Sequence, residues 1–274
     1  MIPFPEGISP DIFTISLGSF KFTLYWYALA YVVGIIAWWR IAAVALKRNS
    51  LWPGNIAPMQ AAKLEDLVTY LVLGIILGGR LGYVIFYNFD YYLNNFLDIF
   101  KIWQGGMSFH GGLIGIIFVS IWFSKKNNHS PYQYLDIVSI VAPIGIFFGR
   151  IANFINSELY GTETSVSWAV KFVKVDEQFR HPSQLYEAFF EGIVLFLILI
   201  YFRNKGFMKK PGLISGLFLI FYSIFRFLIE FVRVPDEQLG YLLFNLTMGQ
   251  IISFIFFLIG IYLIIVKNEI KKKT

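Results

Sequence analysis

The stretch Leu67–Arg80, LVTYLVLGIILGGR, holds thirteen residues without a charge and then one arginine. The arrangement recurs at Ile137–Gly149 before Arg150 and at Pro211–Phe225 before Arg226, with uncharged runs of 13 to 15 residues in all three cases. A helix rises about 1.5 Å per residue, so each arginine falls roughly 20 Å along its run, inside a hydrocarbon layer about 30 Å thick. An arginine at that depth costs about 2.5 kcal/mol or more, and it persists where a partner or a function repays the cost. Three at one depth point to a buried cationic site for an anionic ligand.

Working outward, apolar runs of about 20 residues fall at Phe22–Leu46, Leu67–Phe86, Gly105–Ser124, Ile137–Ile155, Ser183–Phe202, Leu213–Val232 and Leu246–Val266. Hydrophobic residues make up 57% of the 274 and charged residues 15%, with a mean hydropathy of +0.63, which excludes an ordinary soluble domain. The expectation is an all-α integral membrane protein with seven transmembrane helices and a small external loop region, a single membrane-embedded domain over residues 1–274. Met1–Lys21 reads as a translocated segment rather than a targeting peptide, because the first apolar run is too long for a cleaved signal. The longest external segments are Asn88–Gln104 and Asn156–Pro182. In the second, Trp168, Val170, Phe172 and Val173 among polar neighbours suggest a small hairpin.

Loop by loop, 13 of the 23 Lys and Arg residues fall on one side: Lys47, Arg48, Lys63, Lys125, Lys126, Arg203, Lys205, Lys209, Lys210, Lys267 and Lys271 to Lys273. Six fall on the other (Lys21, Lys101, Lys171, Lys174, Arg180, Arg233) and four within spans (Arg40, Arg80, Arg150, Arg226). The basic side is expected in the cytoplasm, with the amino terminus outside and the carboxyl terminus inside. Anionic lipid headgroups account for the net charge of +6 without nucleic acid. With no cysteine in the chain, disulfides, thiolate metal sites and an enzymic thiol nucleophile are excluded.

Depth sorts the polar residues toward the outer leaflet: Tyr25 and Tyr27, Arg80, His110, Arg150 with Asn153 and Asn156, Ser183 with Gln184 and Glu187, Arg226 with Glu230, and Gln250. Only Arg40 and Asp136 lie toward the inner ends. Gly149–Gly161, GRIANFINSELYG, is the densest polar constellation. Arg150 and Asn153 share a helical face, and Pro143, Gly145 and Gly149 favour a kink ahead of them. A guanidinium clamps phosphate through two parallel hydrogen bonds, while amides orient hydroxyls. The plainer reading of Arg150 is an ion pair with Glu158 or Glu187. Tyr222, Arg226 and Glu230 follow one another at helical spacing, where a structural salt bridge between the last two is compatible with phosphate binding. His110 sits among Gly105, Gly106, Gly111, Gly112 and Gly115, glycines that permit close approach of a helix or of a headgroup. His181 and Ser183 open the fifth span, where cap or packing roles come first, and His129 lies in an inner loop. There is no HExxH pair and no Gly-x-Ser-x-Gly elbow.

Gly149–Gly161, together with His110-Gly111-Gly112, His181-Pro182-Ser183-Gln184-Leu185-Tyr186-Glu187 and Phe225–Asp236 (FRFLIEFVRVPD), resembles the bacterial prolipoprotein diacylglyceryl transferases nearly end to end. The one visible departure is Ala152, where the family often has glycine. The resemblance implies an enzyme of the bacterial inner membrane that moves diacylglyceryl from phosphatidylglycerol to the lipobox cysteine in the signal peptide of preprolipoproteins, forming a thioether and releasing glycerol 1-phosphate. It implies no cofactor or metal, with substrate lipid entering from the membrane. By motif position it implies functional roles for Tyr27, His110, Arg150, Asn153, Glu158, Arg226 and Glu230. The expected catalytic set is His110, Arg150 and Arg226, with Tyr27, Arg80, Asn153, Asn156, Glu158, Tyr222 and Glu230 binding substrate. His110 would raise the thiolate fraction of the acceptor, and the arginines would stabilise charge on the departing phosphate.

The rival reading is a transporter or channel for an anionic lipid or solute. A transporter needs polarity through to the inner face, and here the inner halves are almost bare. An intramembrane protease needs Ser and His or paired Asp at mid-depth, and Asp136 is the one embedded aspartate candidate.

Overall fold

A computed structural model of the protein describes residues 2–4, 9–18, 20–235 and 240–269. Asp236 of the Phe225–Asp236 motif and the tail lysines Lys271, Lys272 and Lys273 lie outside the described residues. The elements run β1 (Ile2–Pro3), β2 (Asp11–Leu17), β3 (Phe20–Tyr25), α1 (Trp26–Lys47), α2 (Leu64–Tyr87), the short α3 (Phe89–Asn94), α4 (Phe109–Lys126), α5 (Pro131–Asn156), β4 (Val170–Lys171), β5 (Phe179–Arg180), α6 (Ser183–Asn204), α7 (Leu213–Ile229) and α8 (Met248–Glu269), with 3-10 turns between several of them.

Among the described residues six helices are long and apolar enough to cross a membrane: Trp26–Lys47, Ala61–Tyr87, Pro131–Asn156, Ser183–Asn204, Leu213–Val232 and Met248–Val266. The third expected span exists as α4, but it has 18 residues with Lys125 and Lys126 in its last turn. At about 1.5 Å per residue it is about 27 Å long, and the lysine pair and His110 dilute its apolar length. The protein is an all-α integral membrane protein with small β-elements outside its helices.

The first apolar run begins later as a helix than its composition suggests. Phe22–Tyr25 belong to β3, which pairs antiparallel with β2 through Phe13↔Leu24, Thr14↔Thr23 and Ile15↔Phe22, and α1 starts only at Trp26. Alternating Phe, Thr, Ile, Ser and Leu in β2 meets the strand period of two, while the Thr14 and Thr23 hydroxyls lie 2.9 Å apart across the pair. Tyr25 therefore ends a strand, and Tyr27 lies in the first turn of the helix.

The expected hairpin in Asn156–Pro182 is β4 with β5, joined by β1 running parallel to β4 through Ile2↔Val170 and Pro3↔Lys171. Phe4, Val170 and Phe172 form its buried centre, flanked by Phe154, Tyr160 and Val175. Offset and tilted aromatic pairs hold it, with Phe4 at 5.4 Å from Phe154 and 5.7 Å from Phe172. Gly161 stitches this segment to the end of α7: its N–H donates to the His181 carbonyl at 2.9 Å, and Thr162 N–H donates to Val232 at 2.9 Å. A Cβ at Gly161 would stand 2.5 Å from both the His181 and Val232 carbonyl oxygens, so only glycine fits there.

The chain divides into two compact units, Met1–Ile41 with Val138–Thr274, and Ala42–Ile137. Within the second, α2 and α4 cross on glycine. A Cβ at Gly115 would lie 2.6 Å from the Gly74 carbonyl carbon, and one at Gly111 would lie 2.9 Å from Gly82 Cα. Of the two uses open to the glycines around His110, Gly111 and Gly115 thus serve helix approach. Trp52, Leu64, Leu67, Tyr134 and Ile137 are buried in the same unit.

Candidate active site

In the first unit, α5 carries Arg150, Asn153 and Asn156 on its last two turns, and the chain then reverses sharply. Ser157 and Leu159 hold φ of +60° and +55°, left-handed values that cost a non-glycine residue about 1 kcal/mol or more. The turn is over-determined by its surroundings. Glu158 N–H donates to the Asn153 carbonyl at 2.9 Å, Gln184 Nε2 donates to the Glu158 carbonyl at 2.6 Å, and Ser183 Oγ donates to the Leu159 carbonyl at 2.9 Å. Ser183 is therefore not a helix cap: Pro182 occupies that position, and the serine hydroxyl holds the turn instead.

The turn folds the Glu158 carboxylate back over α5. Tyr27 O–H donates to Glu158 Oε2 at 2.8 Å, Asn153 Nδ2 donates to the same oxygen at 3.2 Å and also to the Tyr27 hydroxyl, and Asn156 Nδ2 donates to Glu158 Oε1 at 3.3 Å. Four residues singled out in the sequence meet in one hydrogen-bonded group.

Beside it, three arginines and three glutamates interlock. Arg150 Nε lies 3.0 Å from Glu187 Oε2, which selects Glu187 over Glu158 as its ion-pair partner. Arg226 pairs with Glu187 through Nη1 and with Glu230 through Nη2. Arg233 Nη1 donates to Glu230 Oε1 at 2.9 Å, and Thr247 Oγ1 donates to Glu230 Oε2 at 3.1 Å. Glu191 stands 4.0 Å from Arg150 Nη2 and 3.8 Å from Arg226 Nη1. Tyr222, one turn before Arg226 on α7, lies beside the same charges. The glutamates are sealed, with Glu187 and Glu191 fully buried, whereas the Arg150 side chain stays 18% exposed. Such pairs are expensive to bury unless their hydrogen bonds are satisfied, and breaking one leaves an uncompensated charge.

His181, outside the spans, contacts the Tyr186 hydroxyl through Nδ1 at 3.1 Å, and Tyr186 also accepts from Trp168 Nε1 at 2.7 Å. Burial holds this imidazole below its ordinary range, in keeping with a packing role.

In the second unit, Arg80 is directed into the backbone of the segment after α3. Nε donates to Ile99 O at 2.9 Å, Nη1 to Gly105 O at 2.5 Å and Gly106 O at 3.2 Å, and Nη2 to Asp98 O at 2.6 Å and Lys101 O at 3.3 Å. Tyr92 lies under the guanidinium at 5.2 Å. A guanidinium has five N–H groups, and all five are matched by these carbonyls, which leaves none for a phosphate. His110 sits in the first turn of α4 behind the N-cap Ser108, whose hydroxyl accepts from Gly111 N–H at 3.2 Å.

The profile of the family described as prolipoprotein diacylglyceryl transferase matches residues 13–266. The chain belongs to that family. It is 49% identical over 272 residues to the phosphatidylglycerol–prolipoprotein diacylglyceryl transferase of Rickettsia bellii, covering 99% of each chain. The enzymes of that name from Rickettsia felis and Ruegeria pomeroyi are 49% identical over 268 residues and 42% identical over 286 residues, covering 97% of this chain in both cases and 98% and 97% of theirs. Within this diacylglyceryl transferase, Tyr27, Arg150, Asn153, Asn156, Glu158, Tyr222, Arg226 and Glu230 fall in the first unit, and Arg80 and His110 in the second. Residue types alone did not single out Glu191 or Arg233, and Gln184 was picked out by depth without its turn-holding role. Glu191 had a visible signal, a carboxylate in the middle of an apolar span.

Proposed function

We propose that this chain carries out the reaction for which its family is named, moving a diacylglyceryl group from phosphatidylglycerol to the cysteine thiol of a prolipoprotein, with Arg150 and Arg226 holding the lipid phosphate. The observation that carries the proposal is the convergence of both guanidinium groups on the buried Glu187 while the Arg150 side chain stays partly exposed. Glu187 and Glu230 fix the guanidinium rotamers, and a fixed fork is what phosphate recognition needs.

In the reaction the thiol sulfur forms a bond to the glyceryl carbon, and that carbon's bond to the phosphate oxygen breaks. The electron pair leaves with glycerol 1-phosphate, and the thiol proton passes to a base. Charge on the departing phosphate grows where the arginines stand, and preorganised donors in a water-poor site stabilise it most. Tyr27, Asn153, Asn156 and Glu158 supply neutral donors and one carboxylate acceptor, a set suited to the two free hydroxyls of a glycerol headgroup. His110 keeps its assignment as thiol base on sequence grounds. Arg80, with its donors matched by carbonyls, is reassigned from substrate binding to organising residues 98–106.

The proposal extends to a lipobox cysteine in a signal peptide as acceptor, to a single membrane-embedded domain with seven spans that counts α4 among them, and to the bacterial inner membrane with the amino terminus outside, the carboxyl terminus in the cytoplasm and the site toward the outer leaflet. The deciding assay uses purified protein in vesicles of headgroup-labelled phosphatidylglycerol with a lipobox peptide. Labelled glycerol phosphate should appear only with the thiol present and should stop when the peptide cysteine is serine. Lipid moved intact across the bilayer, or headgroup released without peptide, would overturn it. Single cysteines at Ser165 and Lys209 should label from opposite sides, the first from outside; labelling of both from one side would sink the topology.

A further inference from the structure

Glu191 is the odd member of the charged cluster. Glu187 accepts from Arg226, and Glu230 accepts from Arg226, Arg233 and Thr247. Glu191 is fully buried, and neither of its oxygens has a hydrogen-bond partner among the described residues. Its contacts are the two guanidinium groups at 4.0 and 3.8 Å. It also lies in the π-helical segment Ala188–Val194 of α6, an irregularity that recurs at functional sites. Gly192 packs against Phe147 of α5, where a Cβ would come within 2.8 Å of the Phe147 Cβ, so the segment is pressed onto the helix that carries Arg150.

The charge count gives this carboxylate a task. Arg150, Arg226 and Arg233 carry three positive charges, and Glu187, Glu191 and Glu230 carry three negative ones when all are ionised. A fully ionised cluster is neutral, and one seated phosphodiester would make it negative in a medium where unpaired charge is costly. Glu187 and Glu230 cannot shed charge without losing direct arginine hydrogen bonds, whereas Glu191 has none to lose. The groups facing it are Arg150 from α5, Arg226 and Tyr222 from α7, Glu187 from its own helix, and Arg233 beyond α7.

Resting on the reading that Arg150 and Arg226 hold the lipid phosphate, we propose that Glu191 is a proton-linked positioning residue: it takes up a proton as the phosphate of phosphatidylglycerol seats on Arg150 and Arg226, keeping that pair net positive toward the lipid. Its negative charge holds the two guanidinium groups together in the empty site, and its neutralisation releases their full charge to the ligand.

The test titrates short-chain dihexanoyl-phosphatidylglycerol into the purified full chain in detergent at pH 7, by calorimetry in two buffers of different ionisation enthalpy. The wild type should take up a measurable fraction of a proton per lipid bound, since linked protonation appears as a buffer-dependent heat. Glu191→Gln, already neutral, should bind at least as tightly with no uptake, and Glu191→Asp should restore uptake. Proton-neutral binding by the wild type overturns the proposal whatever the variants do, as does full uptake by Glu191→Gln. Unaltered affinity in Arg150→Gln would instead strike the phosphate site itself, and the role of Glu191 with it.

Discussion

Arg80 donates to five backbone carbonyls of residues 98–106, whereas Arg150 and Arg226 face carboxylates with few hydrogen bonds, and the Arg150 side chain stays partly exposed. All three close long uncharged runs, so hydropathy cannot tell them apart. Their surroundings can. Carbonyl oxygens are partial charges in a loop that needs donors, and they fill a guanidinium completely. Carboxylates neutralise and orient it while leaving one edge for a ligand. An intramembrane arginine is thus a question about its partners as much as about its depth.

The largest expected effect breaks the comparison on the carboxylate side. Arg150→Lys and Arg226→Lys keep the charge but lose the planar fork, so each should lower transfer by roughly 10² or more in the vesicle assay while the protein remains folded. Near-normal rates in either would contradict bidentate phosphate holding. His110→Asn should cost about as much at neutral pH, and its activity should recover partly between about pH 7 and 9 as the acceptor thiol, with a pKa near 8.5, ionises unaided. A low rate with no recovery would remove His110 as the base.

Arg80→Lys sharpens the other side. Most of the five hydrogen bonds vanish, for a loss of about 2–4 kcal/mol locally, so hydrogen exchange across residues 98–106 should quicken while KM for phosphatidylglycerol moves less than about threefold. A KM shift of tenfold with the loop still protected would return Arg80 to the phosphate. The smallest effect concerns the partly buried Arg180–Asp176 pair in the segment between α5 and α6. Arg180 donates to Asp176 and holds that carboxyl below the usual carboxylate range. A depressed carboxylate stabilises above its unfolded value and loses that contribution as pH falls through its folded one, so loosening belongs below about pH 4. Because the pair is only partly buried, Asp176→Asn should shift Tm by no more than about a degree or two, with Trp168 fluorescence as the local readout.

The spans were legible because hydrocarbon tolerates only long apolar helices, and the Tyr27–Asn153–Asn156–Glu158 group because polar residues at that depth are rare enough to select one another. Arg80 misled because its acceptors are backbone carbonyls, which leave no trace in residue identity. Glu191 was hidden in a run that reads as apolar on average, and its neighbour Glu187 entered as one of the outer-leaflet polar residues and as a pairing partner for Arg150, not as the centre of the cluster. The start of α1 was blurred because Phe22, Leu24 and Tyr25 suit a strand as well as a membrane helix, and only the pairing with β2 decides between them.

The parallel pairing of β1 with β4 joins Ile2 to Val170 across five helices of intervening chain, α1 to α5. Residues 2–4 leave the ribosome roughly 170 residues before their partner strand, and at about 5–20 residues per second that is a wait of roughly ten to thirty seconds. During that interval Phe4 has no Phe154 or Phe172 to pack against. The small sheet of β1, β4 and β5 therefore acts as a late latch, closing only after α5 and the segment beyond it have been delivered to the same side of the membrane as the amino-terminal strand.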